Sequence, residues 1–226
     1  MWHARQARDT AATQRLLSTT LARDSACVDI GAHQGEFLRY FLEHAPHGNH
    51  IAIEALPSMA AELRRSFPQV HVVEAAIADR AGTAIFYHAI ERPGWSGLQR
   101  QDYPSGTAVE ELSVTVDTLD DVVPDTASVD FVKIDVEGAE LGVLRGMPGI
   151  LRRGVVVLFE HAIIHARSHG TTPDQVFAVL DDAGYEIRSL DGRGPHGREE
   201  FHALCVFADS TGYGRSAETN WVARPR

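Results

Sequence analysis

The stretch FVKIDVEGAELGVLRG, residues 131–146, places three carboxylates at or just after the end of a short apolar run. Residues 129–135 have the composition of a buried strand, and residues 139–147 have that of a helix. Acids crowded at the end of a buried strand repel one another and lose solvation, so something should compensate them. The stretch therefore predicts a strand, a turn and a helix whose acids form a metal site, a catalytic group or a charged helix start.

Outward from this block, short β-branched runs alternate with amphipathic stretches, which is typical of a parallel sheet with helices on its faces. The predicted strands of the main sheet cover residues 26–30, 50–54, 70–76, 129–135, 155–161, 185–190 and 201–208. The predicted helices cover residues 35–44, 57–67, 139–147 and 173–184. The last two strands, joined by a polar turn, are expected to form an antiparallel hairpin at a sheet edge.

A region after the third strand departs from this alternation. Residues 83–89 and 111–119 predict two additional short strands, and the Gly/Pro-punctuated residues 91–106 between them predict an irregular loop. A loop this long in a compact domain is usually functional. The predicted organisation is a helical segment at 1–25, a single domain at 26–208 with an insertion at 79–125 forming a substrate wall, and a loosely held tail at 209–226.

Composition limits the classes of function. A chain of 226 residues suits one α/β domain, and a net charge of −10 argues against a nucleic-acid or acidic-membrane partner. Cys27 and Cys205 lie inside apolar runs and are interpreted as buried thiols of a reducing compartment. The N-terminus lacks an apolar core of signal-peptide length, and no run approaches the roughly 18 apolar residues of a membrane span. We therefore expect a soluble cytoplasmic protein.

The segment VDIGAHQGEF, residues 28–37, predicts a ligand site at the first strand end. Asp29 is followed by Gly31 and Gly35, which allow a sharp turn and close approach of a ligand to the backbone. The spacing differs from the G-x-G-x-x-G of dinucleotide sites. Because an acid here would repel a pyrophosphate but attract an amino or sulfonium group, the segment favours S-adenosylmethionine (SAM) over NAD.

Two further strand ends border the same crevice. Glu54 ends the second strand, where a carboxylate can accept hydrogen bonds from a ribose diol; a solvated strand-end acid is the alternative. EAAIADRAG, residues 74–82, ends the third strand near Ala76. Its small apolar residues could enclose an adenine ring, although a hairpin turn explains them equally well.

These segments together resemble a known family. VDIGAHQGEF, IAIEALP, EAAIAD, VTVDTLDD and VKIDVEGAELGVLRG occur in an order and spacing that resemble the FkbM-type family of SAM-dependent methyltransferases, over about residues 26–165. The resemblance implies an α/β class I methyltransferase fold, a Rossmann-like three-layer sandwich. Its seven-stranded sheet would be mostly parallel with an antiparallel last strand, and a small β insertion would follow strand three. The implied activity is O-methylation of a hydroxyl on a sugar or secondary-metabolite intermediate, as in natural product biosynthesis.

The resemblance also assigns a cofactor site. The candidate SAM-binding residues are Asp29, Gly31, Ala32, His33, Gly35, Glu54, Ala55, Ala76, Ile77 and Asp135. Two departures from the family pattern stand out. Members commonly have Asn at the position of His33, and an SSL-like segment here reads WSGL, residues 95–98.

A hydroxyl acceptor needs its proton removed by a side chain or with help from a metal. Asp135, Glu160 and His161 end the central strands and are the catalytic candidates. Mg²⁺ held by Asp135 and Glu160 is the alternative answer to the crowded acids. His161, His165 and His169, four residues apart, form either a metal-binding helix face or a merely solvated one.

The remaining polar residues receive more ordinary roles. Lys133 inside its strand should pair with a nearby acid, and Glu140 is interpreted as a helix-start acid that the dipole stabilises. The candidates for contact with substrate are Trp95, Ser96, Glu137 and His196, with Tyr103 and Arg198 beside them.

Two other functions stay open on sequence grounds. An NAD-dependent oxidoreductase or epimerase lacks support because the third glycine and a Tyr-x-x-x-Lys pair are missing. A non-catalytic SAM-binding module would keep the same cofactor residues. The expected partner of an enzyme is a small or carrier-bound hydroxylated acceptor, and a homodimer is one way in which an open crevice could be completed.

Overall fold

The computed structural model describes residues 2–210 and 219–226. The strands are β1 Cys27–Ile30, β2 Ile51–Ile53, β3 His71–Val73, β4 Ala76–Ile77, β5 Gly82–Ala89, β6 Val109–Asp117, β7 Phe131–Ile134, β8 Val156–Glu160, β9 Tyr185–Ser189 and β10 Asn220–Pro225. The helices are α1 Trp2–Thr20, α2 Glu36–His44, α3 Pro57–Ser66, α4 Leu119–Val122, α5 Glu140–Arg145, α6 Pro148–Arg152, α7 Ile163–Ala166, α8 Pro173–Asp182 and α9 Arg198–Ser210. Short 3₁₀ turns lie at Pro93–Trp95 and Arg167–His169.

In the part of the chain that is described, the main sheet has seven strands in the order β3-β2-β1-β7-β8-β10-β9. Its pairs are parallel except that β10 runs antiparallel to both of its neighbours, β8 and β9. Successive strands are added on one side of β1 up to β3 and on its other side from β7 onward. In a doubly wound sheet the ligand crevice opens at this switch point, between β1 and β7. The predicted α/β class, with a mostly parallel sheet and an antiparallel last strand, is confirmed.

The central strands β1 and β7 are buried along their whole length, and their side chains alternate between two apolar layers. Phe131 packs with Leu38 and Phe41 of α2, on the face that also holds α1 and α3. Val132 packs on the opposite face, with Leu144 of α5 and residues of α6, α8 and α9. The sheet therefore lies between two helical layers, and packing on both faces fixes the positions of the ends of β1 and β7.

The predicted hairpin at the end of the chain was wrong. Residues 201–208, predicted as a strand, lie in α9, and the antiparallel strand is β10, within the predicted tail. Phe201 and Cys205 of α9 are buried one helical turn apart while Ala203 between them is exposed, which fits a helix face and not the alternation of a strand. Because β10 inserts between β8 and β9, Trp221 is fully buried. The rest of the predicted tail includes residues 211–218, which lie outside the described part.

The predicted additional strands exist and form a small sheet of their own. Its order is β4-β6-β5, with β5 and β6 antiparallel along their length. The predicted third strand is shorter than expected, because β3 ends at Val73 and residues 76–77 pair with β6 instead. Residues 91–106 contain the short turn at Pro93–Trp95 and otherwise run as a loop against β5. Among the described residues no helix combines the length and apolarity that crossing a membrane requires.

Candidate active site

A cavity of about 540 Å³ opens at the carboxyl ends of β1, β2 and β7, and the loop at 93–98 forms its far wall. Most of the predicted cofactor residues line it: Asp29, Gly31, Ala32, His33, Glu54, Ala55, Ala76, Ile77 and Asp135. Of the predicted substrate residues, Ser96 and Glu137 line it as well. The structure thus brings together side chains that are far apart in the sequence.

Gly31 is required where β1 meets the backbone that follows β7. Its φ is 77°, and an added Cβ would lie 1.9 Å from the carbonyl oxygen of Asp135. The N–H groups of Gly31 and Ala32 both donate to the carbonyl of Ile53, at 3.0 and 3.1 Å. Gly35 does not line the cavity; a Cβ there would lie 2.3 Å from the ring of Phe67. We therefore assign Gly35 to the packing of α2, not to ligand contact.

Glu54 is buried and held by two backbone donors. Its Oε2 accepts the N–H of His33 and its Oε1 accepts the N–H of Leu56, both at 2.9 Å. Burial raises the pKa of Glu54, while these two hydrogen bonds act in the opposite direction. Each carboxylate oxygen keeps a further lone pair for a ligand. Glu54 is therefore an acceptor fixed in place, not the solvated strand-end acid that the sequence allowed.

The backbone conformation of His33 explains why His can stand where family members commonly have Asn. Its φ is 47°, in the left-handed region that Asn, Asp and His enter more readily than other non-glycine residues. The backbone conformation that suits Asn is therefore kept by His. Its imidazole lines the cavity, and burial lowers its pKa.

Lys133 compensates the crowded acids. On β7 it stands opposite Asp29 of β1, and its Nζ lies 3.4 Å from Oδ1 of Asp29 and 3.3 Å from Oδ2 of Asp135. Burial opposes its charge, but Asp135 and Asp29 together hold the pKa of Lys133 above its ordinary value. The ammonium also lies 4.8 Å from the ring centroid of Phe37. The predicted pairing of Lys133 is confirmed, and this lysine, which also lines the cavity, takes the place of a metal.

Asp29 is the most deeply buried acid of the cavity, and burial raises its pKa. In the described part of the chain, its two carboxylate oxygens accept no well-aligned hydrogen bond and face the Lys133 ammonium only as an ion pair. A buried carboxylate with unused acceptor capacity is suited to a ligand that carries positive N–H donors.

The proposed metal sites find no support in the geometry. Across residues 2–210 and 219–226, no three His, Cys, Asp or Glu side chains are grouped so that they could hold a metal ion. His161 precedes α7, His165 lies within it and His169 lies in the following 3₁₀ turn, so the three do not share one continuous helix face. Asp135 is instead paired with Lys133.

Glu140 begins α5, as predicted for a helix-start acid, but it is buried and makes specific contacts that the sequence did not indicate. It is only 2% exposed, its Oε1 accepts the N–H of Gly138 at 2.8 Å, and its Oε2 lies 3.5 Å from Nδ1 of His161. His161 is buried and stacks against Phe201. His161 and Glu160, two of the predicted catalytic residues, do not line the cavity. Glu140 and His161 form a buried pair behind it.

The predicted substrate residues divide into two groups. Ser96 lines the cavity, and its Oγ accepts the N–H of Ala89 at 3.1 Å, which fixes the loop to β5. Trp95 lies just behind this wall, with its ring edge against His165. His196 lies elsewhere: its Nε2 is 2.9 Å from the Ser189 hydroxyl. Tyr103 and Arg198 also lie outside the cavity lining.

Sequence reasoning missed several residues of the site. Phe37 and Arg39 of α2, Phe86 of β5 and Leu98 of the loop line the cavity. Gln101 supports it from behind, with its amide bonded to the backbone of Glu137. The position of Phe37 just after the glycine turn could have indicated its role. The irregular loop around Gln101 carries no such signal.

Comparison with known proteins agrees with this geometry. Residues 29–187 match the family described as "Methyltransferase FkbM domain". "Methyltransferase sdnD" of Sordaria araneosa is 28% identical over 197 residues, which cover 71% of this chain and 73% of that protein. "Methyltransferase 1" of Beauveria bassiana is 29% identical over 148 residues, 55% of this chain and 59% of that protein, so the match spans less than two thirds of the relative's length.

Solved structures also align with this chain at low identity. A TehB-like SAM-dependent methyltransferase from Corynebacterium glutamicum aligns over 99% of this chain and 96% of its own, with 12% identity and a TM-score of 0.47. A likeness at this level says nothing about substrate. The family match spans most of the chain, including the strand ends that form the cavity. The chain therefore belongs to the FkbM methyltransferase family.

Proposed function

We propose that this protein is a SAM-dependent methyltransferase that O-methylates a hydroxyl of a sugar or secondary-metabolite intermediate. One observation carries the proposal: the cavity presents the fixed Glu54 carboxylate together with the buried Asp29 carboxylate, whose acceptor capacity is largely unused. Membership of a methyltransferase family supports the same reading.

The residues present fit SAM in their chemistry. Glu54 has free lone pairs for ribose hydroxyls, and Asp29 would accept from the amino group of the methionine part. Ala76 and Ile77 offer the apolar surface that an adenine ring needs. The acids of the cavity complement the positive sulfur, whereas a dinucleotide would bring its anionic pyrophosphate toward Asp29.

SAM, when bound, would supply an electrophilic methyl group on a cationic sulfur. The chain itself contributes binding, orientation and exclusion of water. The loop at 93–98 closes one side of the cavity, and Phe86 and Leu98 provide its apolar surface. Asp135, held by Lys133, contributes a fixed negative charge at the strand end.

The acceptor in this proposal is a small or carrier-bound hydroxylated molecule that reaches the cavity past the loop wall. A net charge of −10 supports a neutral acceptor over a nucleic acid, which the protein would repel at long range. The acids of the cavity favour a neutral or cationic acceptor for the same reason.

Titration calorimetry with SAM, S-adenosylhomocysteine (SAH) and NAD tests the proposal without a known acceptor. We expect SAM and SAH to bind at sub-millimolar concentration and NAD to bind more weakly or not at all. Preference for NAD, or no binding of SAM and SAH, would contradict the proposal. Transfer of a labelled methyl group from SAM to a panel of hydroxylated sugars and phenols would then identify the acceptor class.

A further inference from the structure

The turn after β7 holds a glutamate in an unfavourable backbone conformation. Glu137 has a φ of 53° and the following Gly138 a φ of 104°. Gln101 donates through Nε2 to the carbonyl of Glu137 at 2.8 Å, and Glu140 accepts the N–H of Gly138 at 2.8 Å. A Cβ on Gly138 would lie 2.5 Å from the carbonyl oxygen of His165. A residue kept in the left-handed region by this many contacts is typical of functional sites.

Gln101 also determines which nitrogen of His165 carries a proton. Because its Nε2 donates to the Glu137 carbonyl, its Oε1 is the atom that faces Nδ1 of His165, with which it makes a short contact. An amide oxygen only accepts, so Nδ1 must carry the hydrogen. In neutral His165 the basic nitrogen is then Nε2, which lies 3.3 Å from Oε2 of Glu137.

A carboxylate and the lone pair of a neutral imidazole repel each other at this distance, and a single proton held by the pair removes the repulsion. Burial, followed by Asp135, Glu160 and Glu140, raises the pKa of Glu137 well above its ordinary value, with Lys133 opposing them. Burial lowers the pKa of His165, with Glu140 and Asp135 opposing it. Burial thus acts against the charged form of both groups, which favours the shared proton on Glu137 beside a neutral His165. His169 packs on the far side of the turn.

The other acids of the cavity each have a cation or a hydrogen-bond donor beside them. Asp29 and Asp135 are paired with Lys133, and Glu54 is held by backbone N–H groups. Glu36 is exposed at the rim, where it accepts from the Tyr40 hydroxyl. Glu137 remains as a cavity acid whose partner is a neutral base.

We propose that Glu137, positioned by Gln101 and His165, is the general base of the cavity, and that a bound cation converts it to the carboxylate by driving release of its proton to solvent. This rests on the proposed methyltransferase function. The O–H bond of the acceptor breaks, its electron pair stays on oxygen, and the proton joins a carboxylate oxygen of Glu137. A positive charge in the same cavity favours the ionised acid, so the base becomes available when the methyl donor is present.

Proton release during ligand binding tests the inference with SAM and SAH as probes. Calorimetry of the full chain in buffers of different ionisation enthalpy counts the protons that each ligand displaces. We expect SAM, with its positive sulfur, to release more protons than neutral SAH. The difference should approach about one proton at pH values above the pKa of Glu137 in the SAM complex and below its raised pKa in the free protein. Glu137→Gln should bind SAH within about threefold of wild type and abolish the difference, whereas Glu36→Gln should keep it.

Equal release by SAM and SAH, or a difference that persists in Glu137→Gln, would overturn the inference. Failure of wild type to bind either ligand would instead overturn the proposed function, and the inference with it. Nitrogen NMR of His165 in the ligand-free protein gives a check that needs no variant. The Nδ1–H form is expected, and the Nε2–H form would contradict the arrangement.

Discussion

Nζ of Lys133 lies 3.3 Å from Oδ2 of Asp135, so a buried ammonium on β7 balances the acid that follows the same strand. The same ammonium balances Asp29 across the strand pair at 3.4 Å. The acids after β7 thus need no metal to coexist. With its own cation in place, the cavity keeps enough negative charge to attract a cationic ligand.

Replacing Lys133 by Met should leave the buried Asp29 carboxylate and the partly buried Asp135 carboxylate without their shared cation. We expect Lys133→Met to lower the free energy of unfolding by about 3–5 kcal/mol, the effect of removing one member of a buried ion pair. Urea unfolding measures this directly. The double variant Asp29→Asn/Lys133→Met should recover part of the loss, because one uncompensated charge is then gone. A Lys133→Met protein as stable as wild type would show that the pair does not hold this strand end.

Substituting Gly31 by Ala should strain both the backbone and its contact with Asp135. The left-handed φ and the overpacking together should lower the free energy of unfolding by about 2–5 kcal/mol. Gly106 is a matched control, since its φ is 88° but nothing lies within 4 Å of an added Cβ. Gly106→Ala should lose only about 1–2 kcal/mol. Equal losses in the two variants would mean that the close approach at Gly31 is not a structural requirement.

Removal of Glu140 separates a buried role from a helix-dipole role. Glu140→Ala should lower the free energy of unfolding by about 3 kcal/mol, because it leaves His161 and the Gly138 N–H without their partner. Glu199, an exposed acid in the first turn of α9, is the control. Glu199→Ala should lose less than about 1 kcal/mol. If both variants lost less than about 1 kcal/mol of unfolding free energy, Glu140 would act only as a helix-start acid that the dipole stabilises.

The raised pKa of Glu137 predicts a pH-dependent stability. The folded state binds this proton more tightly than the unfolded state, so the contribution of Glu137 is fully present below its ordinary pKa of 4.5 and is lost as the pH rises through the raised value. The free energy of unfolding of wild type, minus that of Glu137→Gln, should therefore fall as the pH rises from about 4.5 through the raised pKa of Glu137. A difference that is flat or rises with pH would contradict the proton assignment.

The alternation of the sequence was sufficient to predict most of the main sheet. The runs around β1, β2 and β7 are mostly apolar because these strands are buried, and only Asp29 and Lys133, which pair with each other, interrupt them. Glu54 and Gly31 were identifiable because a polar residue and a glycine directly follow such runs. These signals are local, and sequence analysis detects local signals well.

The parts of the fold and of the site that escaped prediction depend on long-range packing. Phe201 and Cys205 lie in an apolar run whose composition suits a strand, although their four-residue spacing fits the helix that forms. β10 includes Arg224 and Pro225 and shows little strand character by itself, because its place between β8 and β9 determines its conformation. The contact of Gln101 with His165 joins a loop to a distant helix, which no sequence pattern records.

The affinity of the cavity for SAH, measured by calorimetry for wild type, Glu54→Ala and Glu74→Ala, tests the central claim most directly. Glu74 is an exposed acid just after β3 that does not line the cavity, so it controls for the loss of a charge. We predict that Glu54→Ala binds about ten- to a hundredfold more weakly than wild type, while Glu74→Ala binds equally well. Unchanged affinity in a folded Glu54→Ala protein would contradict the assignment of this cavity to the methyl donor.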